Sequence, residues 1–171
     1  SGTAAVTHAQ LAESEGYRSV VDAVHAEIST FRNSSARREG GATEIADIGP
    51  GNGVHSAEFL LAYSEQWIPP TNYLALAFSR SLMEIALARV ATVFPGPARA
   101  TPWDIESGPT GAIRDWRTTA GPVLVCLLGH TLGNVEAPAS VLTHIRESTD
   151  HGDELILSVA LGSTTASEQF T

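Results

Sequence analysis

A glycine-rich segment carries the clearest chemical signal in the sequence; it reads Asp47-Ile-Gly49-Pro-Gly51-Asn-Gly53. Glycines let the backbone turn sharply and approach a ligand closely, which a Cβ would obstruct. The segment follows a predicted strand and precedes a predicted helix, whose first turn directs unpaired N–H groups and a partial positive charge toward an anion. The pattern therefore predicts a ligand-binding loop, with a purely structural turn as the alternative.

The spacing of these glycines discriminates between ligands. A dinucleotide-binding turn reads G-x-G-x-x-G, and its third glycine would stand at Val54. The observed pattern is G-x-G-x-G, with the acidic Asp47 two positions before the first glycine. This arrangement resembles the first motif of class I S-adenosylmethionine-dependent methyltransferases, which implies that the methionine end of that cofactor lies against the loop. A nicotinamide-dependent oxidoreductase is the disfavoured alternative.

Two further positions bear on an adenosine-containing ligand. The second predicted strand should end in an acidic residue that binds both ribose hydroxyls, but Ala77 stands where we expect that carboxylate. A hydrogen bond to a charged group contributes about 1.5–3 kcal/mol, so affinity should suffer unless another group compensates. Asp104, after the third predicted strand, can accept a hydrogen bond from the adenine amino group; the alternative is a turn-forming or helix-capping residue.

The segment GPVLVCLLGHTLGN, residues 121–134, resembles the histidine-specific methyltransferase family. That family includes the ergothioneine-pathway enzyme, which trimethylates the α-amino group of histidine. The segments ADIGPGNGVHS, NYLALAFSRSLMEIA, ATPWDIE and HGDELILSVAL match further family motifs in the same order. The similarity spans residues 43–161, and GHTLGN is its most specific part.

The resemblance implies a set of site residues. Thr131 and Asn134 belong to a loop that closes over the reactive centre, where the family asparagine helps to hold the substrate amino acid. We expect the cofactor to contact the glycine loop, the second and third strand ends and the start of the GHTLGN loop, that is Asp47, Gly49, Gly51, Gly53, His55, Ser79, Asp104 and Gly129. No metal site is expected.

The histidines allow more than one interpretation. His55 stands where family members often carry a lysine, and it either donates to the cofactor carboxylate or is a solvated helix residue. His130 lies beside the expected reaction site and could act as a base, but a loop histidine is the preferred interpretation. The remaining histidines lack metal-ligand spacing and are predicted to lie on the surface; they are His8, His25, His144 and His151.

Composition excludes several other classes. The formal net charge of −9 and pI near 5.0 disfavour nucleic acid and an anionic membrane surface as partners. The absence of lysine excludes Schiff-base chemistry and a Walker lysine. The single cysteine, Cys126, cannot form a disulfide within the chain and is expected to be a buried apolar residue. Without an apolar stretch near 18 residues, a soluble cytoplasmic protein is the default expectation.

The predicted helices and strands that position these residues alternate along the chain. An apolar stripe from Tyr17 to Phe31 predicts a helix over residues 3–36. A capping box of Ser81 and Glu84 is expected near the start of the third helix. The predicted strands cover residues 43–48, 72–78, 98–105, 121–128 and 154–161, and the later helices 54–65, 81–93, 111–119 and 138–149.

This alternation predicts an α/β protein with a parallel sheet flanked by helices, the Rossmann-like fold of class I methyltransferases. We divide the chain into a helical segment, residues 1–40, and a cofactor-binding core, residues 41–171. Family sheets have seven strands, so strands 6 and 7 are expected to be missing. The apolar strand 154–161 would then be an exposed edge, covered in a homodimer or by further polypeptide.

The expected function is that of an S-adenosylmethionine-dependent methyltransferase, or its cofactor-binding core, acting on a small molecule such as an amino acid or a derivative. The alternative is a methyltransferase-like binding module that has lost catalysis, which Ala77 and the short C-terminus favour.

Overall fold

The computed structural model describes residues 17–33, 44–129 and 131–159. Helices and strands alternate along these residues, in the order α1 (Tyr17–Asn33), β1 (Glu44–Ile48), α2 (Val54–Gln66), β2 (Asn72–Ala77), α3 (Arg80–Val90), β3 (Ala98–Pro102), α4 (Ala112–Trp116), β4 (Val123–Leu127), a 3₁₀ turn (Thr131–Asn134), α5 (Pro138–Ser148) and β5 (Glu154–Leu157).

The five strands form one parallel sheet in the order β3-β2-β1-β4-β5. The predicted Rossmann-like α/β fold is therefore confirmed. Strand order reverses at β1, because the chain runs from β1 to β2 and β3 on one side and later adds β4 and β5 on the other. In such sheets ligands bind beyond the carboxyl ends of the strands at this switch point. The fold thus brings the glycine loop after β1 beside the GHTLGN loop after β4.

Each face of the sheet has its own apolar core. Helices α1, α2 and α3 cover one face, where Ile45 of β1 is buried, and α4 and α5 cover the other, where Ala46 is buried. In the stripe predicted for α1, Val24, Ile28 and Phe31 are buried as expected. Residues 3–16 and 34–36 of that predicted helix lie outside the described residues.

The third helix begins differently from the prediction. Its N-cap is Ser79, whose extended backbone places Oγ over the first turn, where it accepts the N–H of Leu82 at 3.4 Å. Ser81 already lies inside the helix, and Glu84 pairs with Arg80 at 3.2 Å, so the predicted capping box is wrong.

Several element ends also differ from those predicted. Strand β3 stops at Pro102 instead of residue 105, because Asp104 starts a turn that Ser107 N closes onto Asp104 O at 3.1 Å. Helix α3 ends at Val90 instead of residue 93, and α4 covers only Ala112–Trp116. Strand β5 ends at Leu157, and residues 160–161 of its predicted range lie outside the described part.

The β5 edge exposes apolar side chains, as its sequence led us to expect. Leu155 and Leu157 are 44% and 39% exposed, whereas Ile156 between them packs into the core. Alternation along the strand explains this difference, since one face of β5 meets the core and the other does not within the described residues.

A buried carboxylate at the start of β1 stabilises the amino-terminal end of the sheet. Glu44 is fully buried; its Oε1 accepts from Asn72 Nδ2 at 3.0 Å and from the N–H and Oγ1 of Thr118 at 2.9 and 2.7 Å. Oε2 accepts from Thr119 Oγ1 at 3.1 Å. Burial by itself would raise the pKa of Glu44, but these hydrogen bonds outweigh it and lower the pKa below its ordinary value.

Replacing Glu44 with glutamine is expected to lower the free energy of unfolding by about 2 kcal/mol near pH 7, because an NH₂ group then faces hydrogen-bond donors. Since the folded pKa is depressed, the stability that the carboxylate contributes is present above its unfolded pKa and is lost as pH falls through the folded value. Urea unfolding at pH 7 and near pH 3 measures the difference. Glu65→Gln, at an exposed position, is the matched control. A wild-type–variant difference that stays constant across this pH range would contradict the interpretation.

Candidate functional site

The glycine loop has no room for side chains at its first and last glycines. Gly49 and Gly53 adopt φ values of +68° and +78°, in the left-handed region. A Cβ at Gly49 would lie 2.8 Å from Thr131 Cγ2, and one at Gly53 would lie 2.7 Å from Ala86 Cα. The loop is therefore held tightly between the 3₁₀ turn after β4 and helix α3.

Asp47 lies beneath this loop. It is 2% exposed, and its Oδ2 accepts from Ser56 Oγ at 2.5 Å and from Tyr73 OH at 2.8 Å. Burial raises the pKa of Asp47; the hydrogen bonds and the nearby His55 act in the opposite direction. These contacts tie β1 and β2 to the first turn of α2. The position predicted to contact the cofactor thus supports the loop from below.

A cleft of about 390 Å³ opens beyond the carboxyl ends of β1, β2 and β3. This volume lies within the range of small-molecule sites. The lining residues come from these strand ends, the turn after β3 and the 3₁₀ turn; they are Ile48, Gly49, Leu76, Ala77, Phe78, Trp103, Asp104, Ile105, Glu106 and Thr131. Three of the predicted site residues, Gly49, Asp104 and Thr131, therefore share one cleft.

The end of β2 presents an apolar surface to this cleft. Ala77 lines it, and the carbonyl of Ala77 accepts the Trp103 N–H at 3.1 Å, which fixes β2 against β3. Phe78 also lines the cleft and is 78% exposed. Ser79, predicted to contact the cofactor, is half-buried and caps α3.

Asp104 combines a turn role with a place in the cleft. Its Oδ1 accepts the Glu106 N–H at 3.1 Å and its Oδ2 accepts Ser107 Oγ at 2.7 Å. These hydrogen bonds lower the pKa of Asp104, so the side chain is ionised near neutral pH. Each carboxylate oxygen can accept more than one hydrogen bond. Asp104 therefore closes the turn, as its alternative interpretation proposed, and retains acceptor capacity toward the cleft.

The loop after β4 bends back onto the glycine loop. Gly129 turns the chain with φ of +69°, and Thr131 Oγ1 lies 3.3 Å from the Leu128 carbonyl and 3.4 Å from that of Gly49. Asn134 ends the 3₁₀ turn and is exposed. The structure thus brings Thr131 to the cleft, whereas Asn134 is exposed and is not among the residues that line it. His130 lies outside the described residues.

His55 is neither solvated nor isolated. Its Nε2 lies 2.9 Å from Glu27 Oε2 of α1, and the two side chains are 17% and 6% exposed. A Cβ built at Gly129 would lie 3.5 Å from His55 Nδ1, so the imidazole reaches the start of the GHTLGN loop. The sequence analysis missed Glu27. Its position within the apolar stripe, between Val24 and Ile28, is the signal that could have identified it as buried.

The remaining predictions concern Cys126 and four histidines. Cys126 is buried as expected, and burial raises the pKa of its thiol well above the ordinary value. His144, predicted to lie on the surface, is half-buried, and its Nδ1 lies 2.7 Å from the Ile105 carbonyl oxygen in the turn after β3. His25 and His151 are exposed, and His8 lies outside the described residues.

A family model described as histidine-specific methyltransferase, SAM-dependent, matches residues 20–167. No curated protein matches the sequence closely enough to count as a relative. Within the described ranges, no helix has both the length and the apolar character needed to cross a membrane.

A solved structure of another protein shows the same fold. An O-methyltransferase family protein from Burkholderia thailandensis aligns with a TM-score of 0.54 and 14% identity, over 90% of this chain and 43% of its own. The plantazolicin methyltransferase BpumL, solved with S-adenosylhomocysteine, aligns with a TM-score of 0.49 and 16% identity, over 81% of this chain and 46% of its own. The chain thus spans less than half the length of these two structures.

Proposed function

This chain belongs to the family of histidine-specific, S-adenosylmethionine-dependent methyltransferases, and from that membership we propose that it methylates a small molecule, an amino acid or an amino-acid derivative. The observation that carries the proposal is the glycine loop folded against the loop after β4 at the switch point of the sheet. That junction is where ligands bind in open parallel sheets.

The cofactor of the family is S-adenosylmethionine, and the residues at the site fit it on two sides. At the glycine loop, a Cβ at Gly49 would lie 2.8 Å from Thr131 Cγ2, so only bare backbone fits beside the cleft that Gly49 lines. At the far end of the cleft, Asp104 offers an ionised acceptor and Ile105 and Phe78 offer apolar surface for adenine. On the ribose side Ala77 supplies no acceptor, so the fit is weaker there.

The cofactor supplies an electrophilic methyl group on a sulfonium. For that chemistry the residues of the site would hold the acceptor amine close to the methyl group and keep water out, and no covalent help from the protein would be needed. We assign Gly49, Gly51 and Gly53 to the cofactor's methionine end and Asp104 to its adenine. Thr131, which lines the cleft, and the exposed Asn134 are assigned to the acceptor side.

A second candidate function is a non-catalytic module that binds a related ligand. One observation favours it: the end of β2, where a ribose-binding carboxylate is expected, presents only Ala77 and the exposed ring of Phe78. A weakly held cofactor would be compatible with loss of turnover.

Titration calorimetry of the chain with S-adenosylhomocysteine and S-adenosylmethionine tests the proposal, and we expect saturable binding of both at one site. Incubation with S-adenosylmethionine and a panel of amino acids, followed by mass spectrometry, should then show a gain of one or more methyl groups on one acceptor. The nicotinamide cofactor NADH serves as the negative control. Binding without product would favour the non-catalytic module, and failure of both ligands to bind would refute both functions.

A further inference from the structure

Glu27 is a buried carboxylate with an unused oxygen. It lies on the inner face of α1, is 7% exposed, and its Oε2 is bound to His55 Nε2 at 2.9 Å. Its Oε1 has no hydrogen-bond partner among the residues that the structure describes. A buried acceptor left without a donor costs about 1–3 kcal/mol, and more when it is charged. Such a group therefore calls for a donor that binds there.

The charges around Glu27 favour a cationic donor. Asp47 is also buried, and the charge of Glu27 is one of the smaller causes that raise its pKa, after burial. His55 contacts Glu27 directly, with Nε2 2.9 Å from Oε2, and the charge of His55 also lowers the pKa of Asp47. One imidazole thus faces two carboxylates, and an additional positive charge would be stabilised beside them.

Glu27 lies close to the start of the loop after β4. His55 links it to Gly129 at the start of the loop after β4, and the charges of Asp47 and Glu27 add to burial in raising the pKa of the Cys126 thiol on β4. Glu27 therefore lies over the junction of β1 and β4. The cleft that Gly49 and Thr131 line lies beside the ends of the same strands, and Glu27 and His55 are not among the residues that line it.

We propose that Glu27 Oε1 binds an ammonium group of a ligand in the methyl-transfer site, and that His55 positions Glu27 for this contact. This inference rests on the proposed function. The ammonium has two sources in that reaction, the α-ammonium of the cofactor's methionine end and the amine of the acceptor. Either forms a charge-assisted hydrogen bond with a carboxylate that is already desolvated, so the bond is stronger than a solvent-exposed one.

The test is Glu27→Gln, whose amide oxygen can still accept from His55. Because the lost oxygen has no partner in the described structure, we expect the variant to keep the wild-type melting temperature within a few degrees. If the cofactor's ammonium binds here, affinity for S-adenosylhomocysteine falls about 10-fold or more, whereas affinity for its desamino analogue is unchanged. If the acceptor amine binds here, S-adenosylhomocysteine affinity is unchanged and affinity of the complex for L-histidine falls by a similar factor.

The proposal is overturned if the affinities for S-adenosylhomocysteine and for L-histidine are the same in the variant and the wild type. It is also overturned if S-adenosylhomocysteine affinity is unchanged and histidine binds neither protein. A large drop in melting temperature with unchanged ligand affinity would assign Glu27 a structural role and would also overturn it. Glu27→Asp, which retains the charge on a shorter side chain, keeps the test usable if Glu27→Gln does not fold, and should recover part of the binding. Failure of the proposed function appears separately, as wild-type protein that binds no S-adenosylhomocysteine.

Discussion

Replacing Ala77 with aspartate is expected to tighten S-adenosylhomocysteine binding by about 10-fold or more, because two ribose hydroxyls could then donate to a carboxylate, each such bond contributing about 1.5–3 kcal/mol. Ala77 ends β2 and lines the cleft, so the new side chain starts at the position where the family resemblance places its acidic residue. Titration calorimetry on wild type and variant measures the change.

Ala77→Asn is the matched control for this prediction. Asparagine has nearly the size of aspartate but lacks its charge, so it should recover only a small part of the gain. Unchanged affinity in Ala77→Asp would show that the ribose lies elsewhere and that the match of β2 to the family's second motif is wrong. A gain equal in both variants would indicate that filling the cleft, and not the charge, is responsible.

Substituting alanine for Gly53 is expected to lower the free energy of unfolding by about 3 kcal/mol or more and to abolish cofactor binding. The left-handed conformation alone costs an L-residue about 1–2 kcal/mol, and overpacking adds about 1–3 kcal/mol. The clash is with backbone, since the new Cβ would lie 2.7 Å from Ala86 Cα and 2.9 Å from its carbonyl oxygen. Helices α2 and α3 would have to separate to relieve it.

Substitutions at two other glycines distinguish the cost of the left-handed backbone conformation from the cost of the steric clash. Gly129→Ala has a similar φ of +69°, but among the described residues its Cβ would meet only His55 Nδ1, at 3.5 Å, so it should cost about 1–2 kcal/mol from strain alone. Gly133→Ala would meet no atom of the described part of the chain within 4 Å and should be nearly neutral. Urea unfolding of the three variants gives the order. An equal loss of unfolding free energy in Gly53→Ala and Gly129→Ala would show that α3 moves to accommodate the new Cβ and that the close contact with Ala86 adds no cost.

Most of the fold was predictable because it depends on local patterns. Alternation of apolar runs with amphipathic segments indicated a parallel α/β sheet, and the unbroken run from Val123 to Leu127 is β4, with every residue buried. The glycine loop was predictable for the same reason, since its backbone conformations require glycine wherever the rest of the chain lies. Helix and strand ends were less accurate, because Ser79 and Ser81 are both acceptable caps and tertiary packing selects between them.

The site itself was predicted only in part. Gly49, Asp104 and Thr131 share one cleft, as their place at strand ends implied. Asp47 was predicted to contact the cofactor, and that role stays a prediction; because β1 is buried on both faces, alternation does not say which residues Asp47 contacts. Its actual partners, Ser56 and Tyr73, come from two other elements.

The sequence by itself determined the order of the elements, the glycine backbone of the loop after β1, and the lack of a carboxylate at the end of β2. These features depend on residue types and short spacings. Only the tertiary structure decided that Glu27 meets His55 over the junction of β1 and β4, 28 residues apart in the chain. Helical periodicity shows that Glu27 lies on the buried stripe of α1, but packing of α1 against α2 determines which side chain it meets there.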